Sequence, residues 1–356
     1  MREIANIYFN KVVFNLFGKL ERFQGEWEKV AATNPTWLIK RKDEALLESA
    51  LSSVRINNGG DLTFDDFKPF LHKDFTLEEG SSKEIREGYA YFKTLQYVVE
   101  NINDLELDRE TVCTFHYMLT EYVPEDILPQ NQKGVYKNSN NDIVKLNRET
   151  GEKVILIKAT EPGIETEEAM ARLIEDFREL ERSGEVAYLV IVSAFLINFL
   201  SILPFKASNG ELSRLITTFL LLKGNYKWAQ YLSHEKGIEK LKDKFFIALR
   251  KTHLTLVNNE PNYLPWLEFI FRALSEELQI PELVDDDVVL IGKMNRNELK
   301  VYKMVKRYSV CSTSFILNKV SMTRDGLKTL LSRMVVGGYL ERVGRGRSTK
   351  YKIAST

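Results

Sequence analysis

Residues 186–203, VAYLVIVSAFLINFLSIL, run for eighteen positions without a charge. That length is near the lower limit for crossing a bilayer, roughly 17 residues. Ser193, Asn198 and Ser201 interrupt the run, its flanks lack a basic bias, and a second apolar segment, Leu212–Leu222, follows a short turn. A helix that is apolar all round is also what the centre of a helical bundle requires. Two of them in succession predict a bundle built around a buried helical pair, with no membrane span.

The rest of the first 280 residues agrees with a mainly α protein. Apolar residues recur three and four apart over 4–31, and a second helix is expected over 35–56, broken by the NNGGD at 57–61. Shorter helical patterns cover 61–70 and 82–101, the latter opened by Ser82, and a further helix is predicted over 166–183. Ile143–Leu146 and Val154–Ile157 flank an Asn-Arg-Glu-Thr-Gly turn and read as a β-hairpin. With 356 residues, of which 44% are hydrophobic and 28% charged, the chain has material for two or three domains. Cys113 and Cys311 offer neither a disulfide framework nor metal-ligand spacing, so a reducing, cytoplasmic setting is expected and no metal site. The start, MREIANIYFNKVVFNLFGKLERF, lacks a small-residue cleavage site, and no export signal is expected.

Zero net charge conceals a partition. Residues 293–356 carry fifteen Lys and Arg against three acids, net +12, so residues 1–292 carry −12. Such a basic segment predicts an anionic partner, the alternative being a solvated basic face. Pro281, Asp285–Asp287 and Gly292 mark a linker over 281–293. The expected organisation is therefore an N-terminal helical region (1–100), a core (101–280), the linker, and a C-terminal domain (294–356).

The turn between the two apolar helices, LPFKASNGELSR, spans 203–214. A helix beginning near Ser208 directs the backbone N–H groups of Asn209, Gly210, Glu211 and Leu212 into one small space, where an anion can bind. Ser208-Asn209-Gly210-Glu211 also fits the S-x-x-E capping box, in which the Ser208 and Glu211 side chains satisfy those donors internally. On residue chemistry alone the cap is the simpler account.

This stretch resembles the signature loop of the Fic (Fic/Doc) family, HPFx(D/E)GNGRxxR. Pro204, Phe205, Asn209, Gly210 and Arg214 match in register. GVYK (134–137) with its following hairpin is similar to that family's GxxR segment and target-binding flap. SSVRINN (52–58) resembles the inhibitory pattern (S/T)xxxE(G/N) through Ser53 and Asn58. The resemblance runs from about residue 40 to 270 and implies a Fic-like helical bundle, ATP with Mg²⁺ as cofactor, and transfer of AMP to a protein hydroxyl.

The departures fall on the chemistry. Leu203 stands where the family's histidine base would be, a group typically contributing 10²–10⁴-fold. Ala207 replaces the magnesium-binding acid, removing the oxygen ligand that this hard cation favours. Ser208 replaces a glycine of the anion hole, and Glu211 replaces an arginine. At about 4 Å and an effective dielectric near 20, a unit charge is worth on the order of 4 kcal/mol, so this reversal opposes a triphosphate. Arg214 survives and could meet a phosphate or a structural partner, while Asn57 takes the place of the inhibitory glutamate. Ser208, Asn209, Gly210 and Arg214 remain the nucleotide-binding candidates. Glu211 is expected to fill part of the anion hole as an internal carboxylate. Of the histidines, His72, His116, His234 and His253, none lies in the loop motif, and His116 reads as a helix-packed side chain.

The basic segment reads as helix (296–308), short helix (314–321), helix (323–336) and two strands around GRGR (344–347), an order that resembles a winged helix-turn-helix. Leu327, Leu330, Leu331 and Met334 form the inner face of the third helix, leaving Arg324, Lys328 and Arg333 to a DNA groove. Arg342, Arg345, Arg347, Lys350 and Lys352 would meet phosphates from the hairpin. A domain of this kind can also serve protein docking. The expected function is a catalytically degenerate Fic fold acting as a regulatory DNA-binding protein, with a protein partner at the flap (134–158). The alternative is an active AMP-transferring enzyme. Oligomeric state is left open.

Overall fold

The computed structural model describes residues 1–33, 35–72, 74–146, 153–278, 294–320, 322–344 and 349–354. The predicted linker 281–293, the tip of the first hairpin, and Arg345 and Arg347 lie outside the described residues. The chain divides into two compact units, residues 1–28 with 36–279, and residues 29–35 with 280–356.

The first unit is helical. Its elements are α1 (Lys11–Thr33) as far as residue 28, α2 (Pro35–Asn58) from residue 36, α3 (Phe64–Phe67), α4 (Lys83–Asn101), α5 (Arg109–Thr120), α6 (Ile164–Ser183), α7 (Tyr188–Ile202), α8 (Asn209–Lys223), α9 (His234–Lys240), α10 (Lys242–Val257) and α11 (Leu264–Glu276). An antiparallel hairpin, β1 (Ile143–Leu146) with β2 (Lys153–Ile157), is inserted between α5 and α6. Ser82 caps α4 and Asp108 caps α5, each accepting a first-turn N–H.

α7 is the buried axis that its composition requires. It tolerates three polar residues because each finds a backbone acceptor one turn back: Ser193 Oγ donates to Leu189 O, Asn198 Nδ2 to Ala194 O and Ser201 Oγ to Ile197 O. α8 packs beside it, with α6, α10 and α11 also against α7 and α4 and α5 against α8. The end of α8 meets the start of α7 closely: a Cβ at Gly224 would overlap the Tyr188 ring, so only glycine fits there. No helix among the described residues is long and apolar enough to cross a membrane.

The second unit has α12 (Arg296–Tyr308), β3 (Cys311–Ser312), α13 (Thr313–Leu317), α14 (Arg324–Val336), β4 (Leu340–Val343) and β5 (Lys350–Ile353). Its three strands form an antiparallel sheet in the order β3-β5-β4. The two-residue β3 is an addition to the sequence-based reading, too short to leave a periodic signal. Val301, Tyr302, Val305, Ile316, Leu327, Leu331 and Met334 make a common core. Asn295 opens α12 in a capping box with Glu298, Ser312 caps α13 and Thr323 caps α14.

Candidate functional site

The loop joining α7 to α8 is shaped by two left-handed residues. Leu203 ends α7 at φ 50°, its N–H donating to Phe199 O, and Ser208 precedes α8 at φ 57°. At Ser208 this conformation displaces the capping box expected from sequence: its side chain makes no cap hydrogen bond. A capping serine needs extended backbone to aim its hydroxyl at the first-turn donors, and the left-handed turn denies it that direction. Asn209 closes the loop instead. Its Oδ1 accepts from Phe205 N (3.0 Å) and its Nδ2 donates to Phe205 O (2.7 Å). Leu212 N–H, expected to be free, donates to Ser208 O, which leaves Asn209, Gly210 and Glu211 with N–H groups that have no partner among the described residues.

Three residues distant in sequence hold the loop from behind. The His116 ring stacks on Phe205 at 3.9 Å. Its Nδ1 accepts from Gly134 N (2.9 Å), which assigns the proton to Nε2, directed at Ala207 O (3.2 Å). Burial pushes this imidazole down to about 4, so it is neutral. Lys137 Nζ donates to Ile202 O (3.0 Å), the end of α7, and to Asn141 Oδ1 (2.9 Å), and desolvation lowers it to about 8. Asn141 Nδ2 in turn donates to Leu203 O and Phe205 O. Sequence reasoning took His116 for an ordinary core side chain and missed Asn141, because their common partner is loop backbone.

Arg214 is buried and bonded to α2 through its Nε and Nη2. Its Nη2 donates to Ser53 Oγ (2.8 Å), Ser53 O (3.3 Å) and Asn57 Oδ1 (3.2 Å), and its Nε to Ser53 Oγ (3.2 Å). The structure thus brings together Ser53, Asn57 and Arg214 from α2 and α8. Asn58 points elsewhere: Nδ2 donates to Glu87 Oε2 (2.6 Å) and Oδ1 accepts from Lys83 Nζ (3.0 Å), which fastens the end of α2 to α4.

Ser53, Asn57, Glu87, Tyr91, Ser208 and Glu211 face one cleft. Its volume is about 10 Å³, room for one water at most. Glu211 has no hydrogen bond or ion pair among the described residues, so it lines the cleft without bonding the loop donors. Burial raises the Glu87 carboxyl above its ordinary value, and the charge of Glu211 adds to that rise against Asn58 and Lys83. Beneath the cleft the fully buried Glu235 accepts from Tyr91 OH (2.7 Å) and Ser233 Oγ (3.1 Å). Neither Glu87 nor Glu235 is marked by any spacing in the sequence.

A magnesium-bound triphosphate does not suit these residues. Ala207 has no side-chain oxygen and its carbonyl already faces His116, Glu211 and Glu87 give the cleft a negative wall, and Arg214 is bonded to α2. Leu203 is 4% exposed and has no proton acceptor to offer. His234 contacts Thr218 and Glu235 and lies by the Arg214 backbone, while His253 accepts from Lys158 N.

In the second unit, Arg324 and Lys328 stand on the exposed face of α14, Lys328 beside Asp325 at 3.6 Å. Arg333 is exposed too, at 59%, and its Nε is also bound by Glu298 of α12 at 2.6 Å. The pair ties α14 to α12 because Glu298, 7% exposed, needs a cation. On the second hairpin, Arg342 donates to Thr349 Oγ1 and Lys352 pairs with Glu341 across β4 and β5, while Lys350 is exposed.

No protein-family model and no curated protein matches the chain. Solved structures do. A Fic family protein from Desulfovibrio desulfuricans matches at TM-score 0.61 and 17% identity, covering 98% of each chain. A Fic domain containing signaling protein from Bacteroides thetaiotaomicron matches at TM-score 0.55 and 19% identity, covering 73% of this chain and 93% of that one. The helices around the Leu203–Arg214 loop therefore have a Fic fold.

Proposed function

We propose that this chain is a regulatory protein in which the Fic fold no longer transfers AMP and the C-terminal unit, a winged helix-turn-helix, binds DNA. The observation that carries the first half is the state of Arg214: the one charged side chain left of the loop motif spends its Nε and Nη2 on Ser53 and Asn57. Leu203 and Ala207 supply neither base nor metal ligand, and the 10 Å³ cleft has no room for a phosphate. The α7–α8 loop keeps the architecture of a phosphate turn, closed by Asn209, and serves here as a packed joint.

The second half is supported by the helix–strand–helix–helix–hairpin order and the net charge of +12 over residues 293–356. Arg324 and Lys328 on α14 are the groove-facing candidates, with Arg342, Arg345, Arg347, Lys350 and Lys352 for phosphates. Arg333 is assigned to holding α14. The β1–β2 hairpin, with Val144, Val154 and Ile155 about half exposed, is read as a flap for a protein partner.

ATP labelled at the α-phosphate tests the first half. We expect no self-labelling and no heat of ATP binding with or without Mg²⁺; stoichiometric AMP incorporation that disappears in Arg214→Ala would restore the enzyme reading. Duplex DNA titrated by fluorescence anisotropy tests the second. Affinity should fall steeply with salt, with a log–log slope of roughly 0.9 per phosphate neutralised. Arg324→Ala/Lys328→Ala should weaken it further, and affinity indifferent to both would identify a protein-docking module.

A further inference from the structure

The inner side of α10 buries Ala248, Leu249, Thr252 and His253. Its outer side is apolar too: Phe246, Ile247, Leu254 and Val257 are 50, 56, 48 and 54% exposed. These are not scattered residues. Counted from Asp243, Phe246, Ile247, Arg250, Leu254 and Val257 lie three, four, seven, eleven and fourteen positions on, which places all six in one stripe along the exposed surface. A helix face meant for water carries polar side chains there. Asp243 and Arg250 are also exposed, and neither has an ion pair or hydrogen bond among the described residues.

The part of the stripe from Asp243 to Arg250 complements itself. Asp243 and Arg250 are two turns apart, with Phe246 and Ile247 midway between them. When two such helices cross antiparallel about a two-fold axis at that midpoint, Asp243 of each copy meets Arg250 of the other, and Phe246 meets Ile247. Opposite charges at mirrored distances from an apolar centre are what an isologous contact needs, since the same patch must serve both sides. An anionic lipid surface would attract Lys244, Arg250 and Lys251 but repel Asp243, which leaves the charge order unexplained.

We propose that the outer face of α10 is the interface of a two-fold homodimer, held by Phe246 and Ile247 at its centre and by reciprocal Asp243–Arg250 pairs on either side. This rests on the α10 surface and not on the DNA-binding reading.

Sedimentation equilibrium on the full chain tests it. The unmodified protein should be dimeric at micromolar concentration. Asp243→Arg and Arg250→Asp should each weaken dimerisation by roughly 100-fold, because each substitution brings like charges together twice across the axis. The double variant D243R/R250D should dimerise again, and mixing the two single variants should yield a heterodimer. Circular dichroism checks that the variants are folded. A monomeric unmodified protein, a dimer unaffected by the single changes, or a double variant that stays monomeric would each overturn the proposal. Binding of the monomer to phosphatidylserine vesicles would reassign the face to lipid.

Discussion

His116 can hold its two contacts only as the neutral imidazole, because a second proton would have to sit on Nδ1, against the Gly134 N–H that it accepts. Burial accordingly lowers its pKa from the ordinary 6.5 to about 4. As pH falls through 6.5 the unfolded chain takes up the proton first. The stability this residue contributes is therefore complete above that value, erodes down to about pH 4 and is level below it. With those two pKa values the loss between pH 7 and pH 5 is about 2 kcal/mol. His234 and His253 are lowered by burial as well, so the whole protein will lose more than this. The difference from His116→Gln isolates the one ring. Trp27, Trp37, Trp228 and Trp266 all precede residue 280, so urea unfolding followed by tryptophan fluorescence reports on the Fic-fold unit. At pH 7 the variant should be the less stable, having left Gly134 N–H without its acceptor; at pH 5 the gap should have narrowed by about 2 kcal/mol. A gap that is the same at both pH values would refute the reasoning.

Arg214→Ala should cost about 2–4 kcal/mol in urea unfolding, because it strips the buried Ser53 hydroxyl and carbonyl, and the more exposed Asn57, of their charged donor; a loss below about 0.5 kcal/mol would mean that α2 is not held there. Gly237→Ala should cost at least about 3 kcal/mol, since a Cβ there runs into the Ala273 carbonyl of α11; an unchanged melting temperature would contradict that close approach. Ser208→Gly should stabilise the protein by roughly 0.5–1 kcal/mol by relieving the left-handed serine, and a destabilised variant would show that its hydroxyl has a role that this geometry lacks.

Elements whose cause is local were legible in the sequence. The uncharged run gave α7, Ser82 fixed the start of α4, and the apolar segments 143–146 and 154–157 on either side of a turn gave the hairpin strands. The loop was harder, because Ser208 and Glu211 satisfy a capping pattern that the left-handed backbone then makes unusable. Pattern spacing presumes the backbone it decorates. The contacts of His116, Lys137 and Asn141 with the loop were invisible for a different reason: these residues are 62–91 positions from the carbonyls they hold, and no period connects a side chain to a distant backbone oxygen. Arg333 was placed on the correct surface of its helix, yet Glu298, 35 residues earlier, decides what it does.

The acceptors around Arg214 are a hydroxyl, a carbonyl and an amide, none of which ionises near neutral pH. A carboxylate at position 57 would have made the attachment of α2 answer to acid and to salt. With asparagine there, neither protons nor counter-ions offer a way to unfasten it, so any loosening of α2 from α8 has to come from mechanical displacement, by a ligand or partner that pries the helix away.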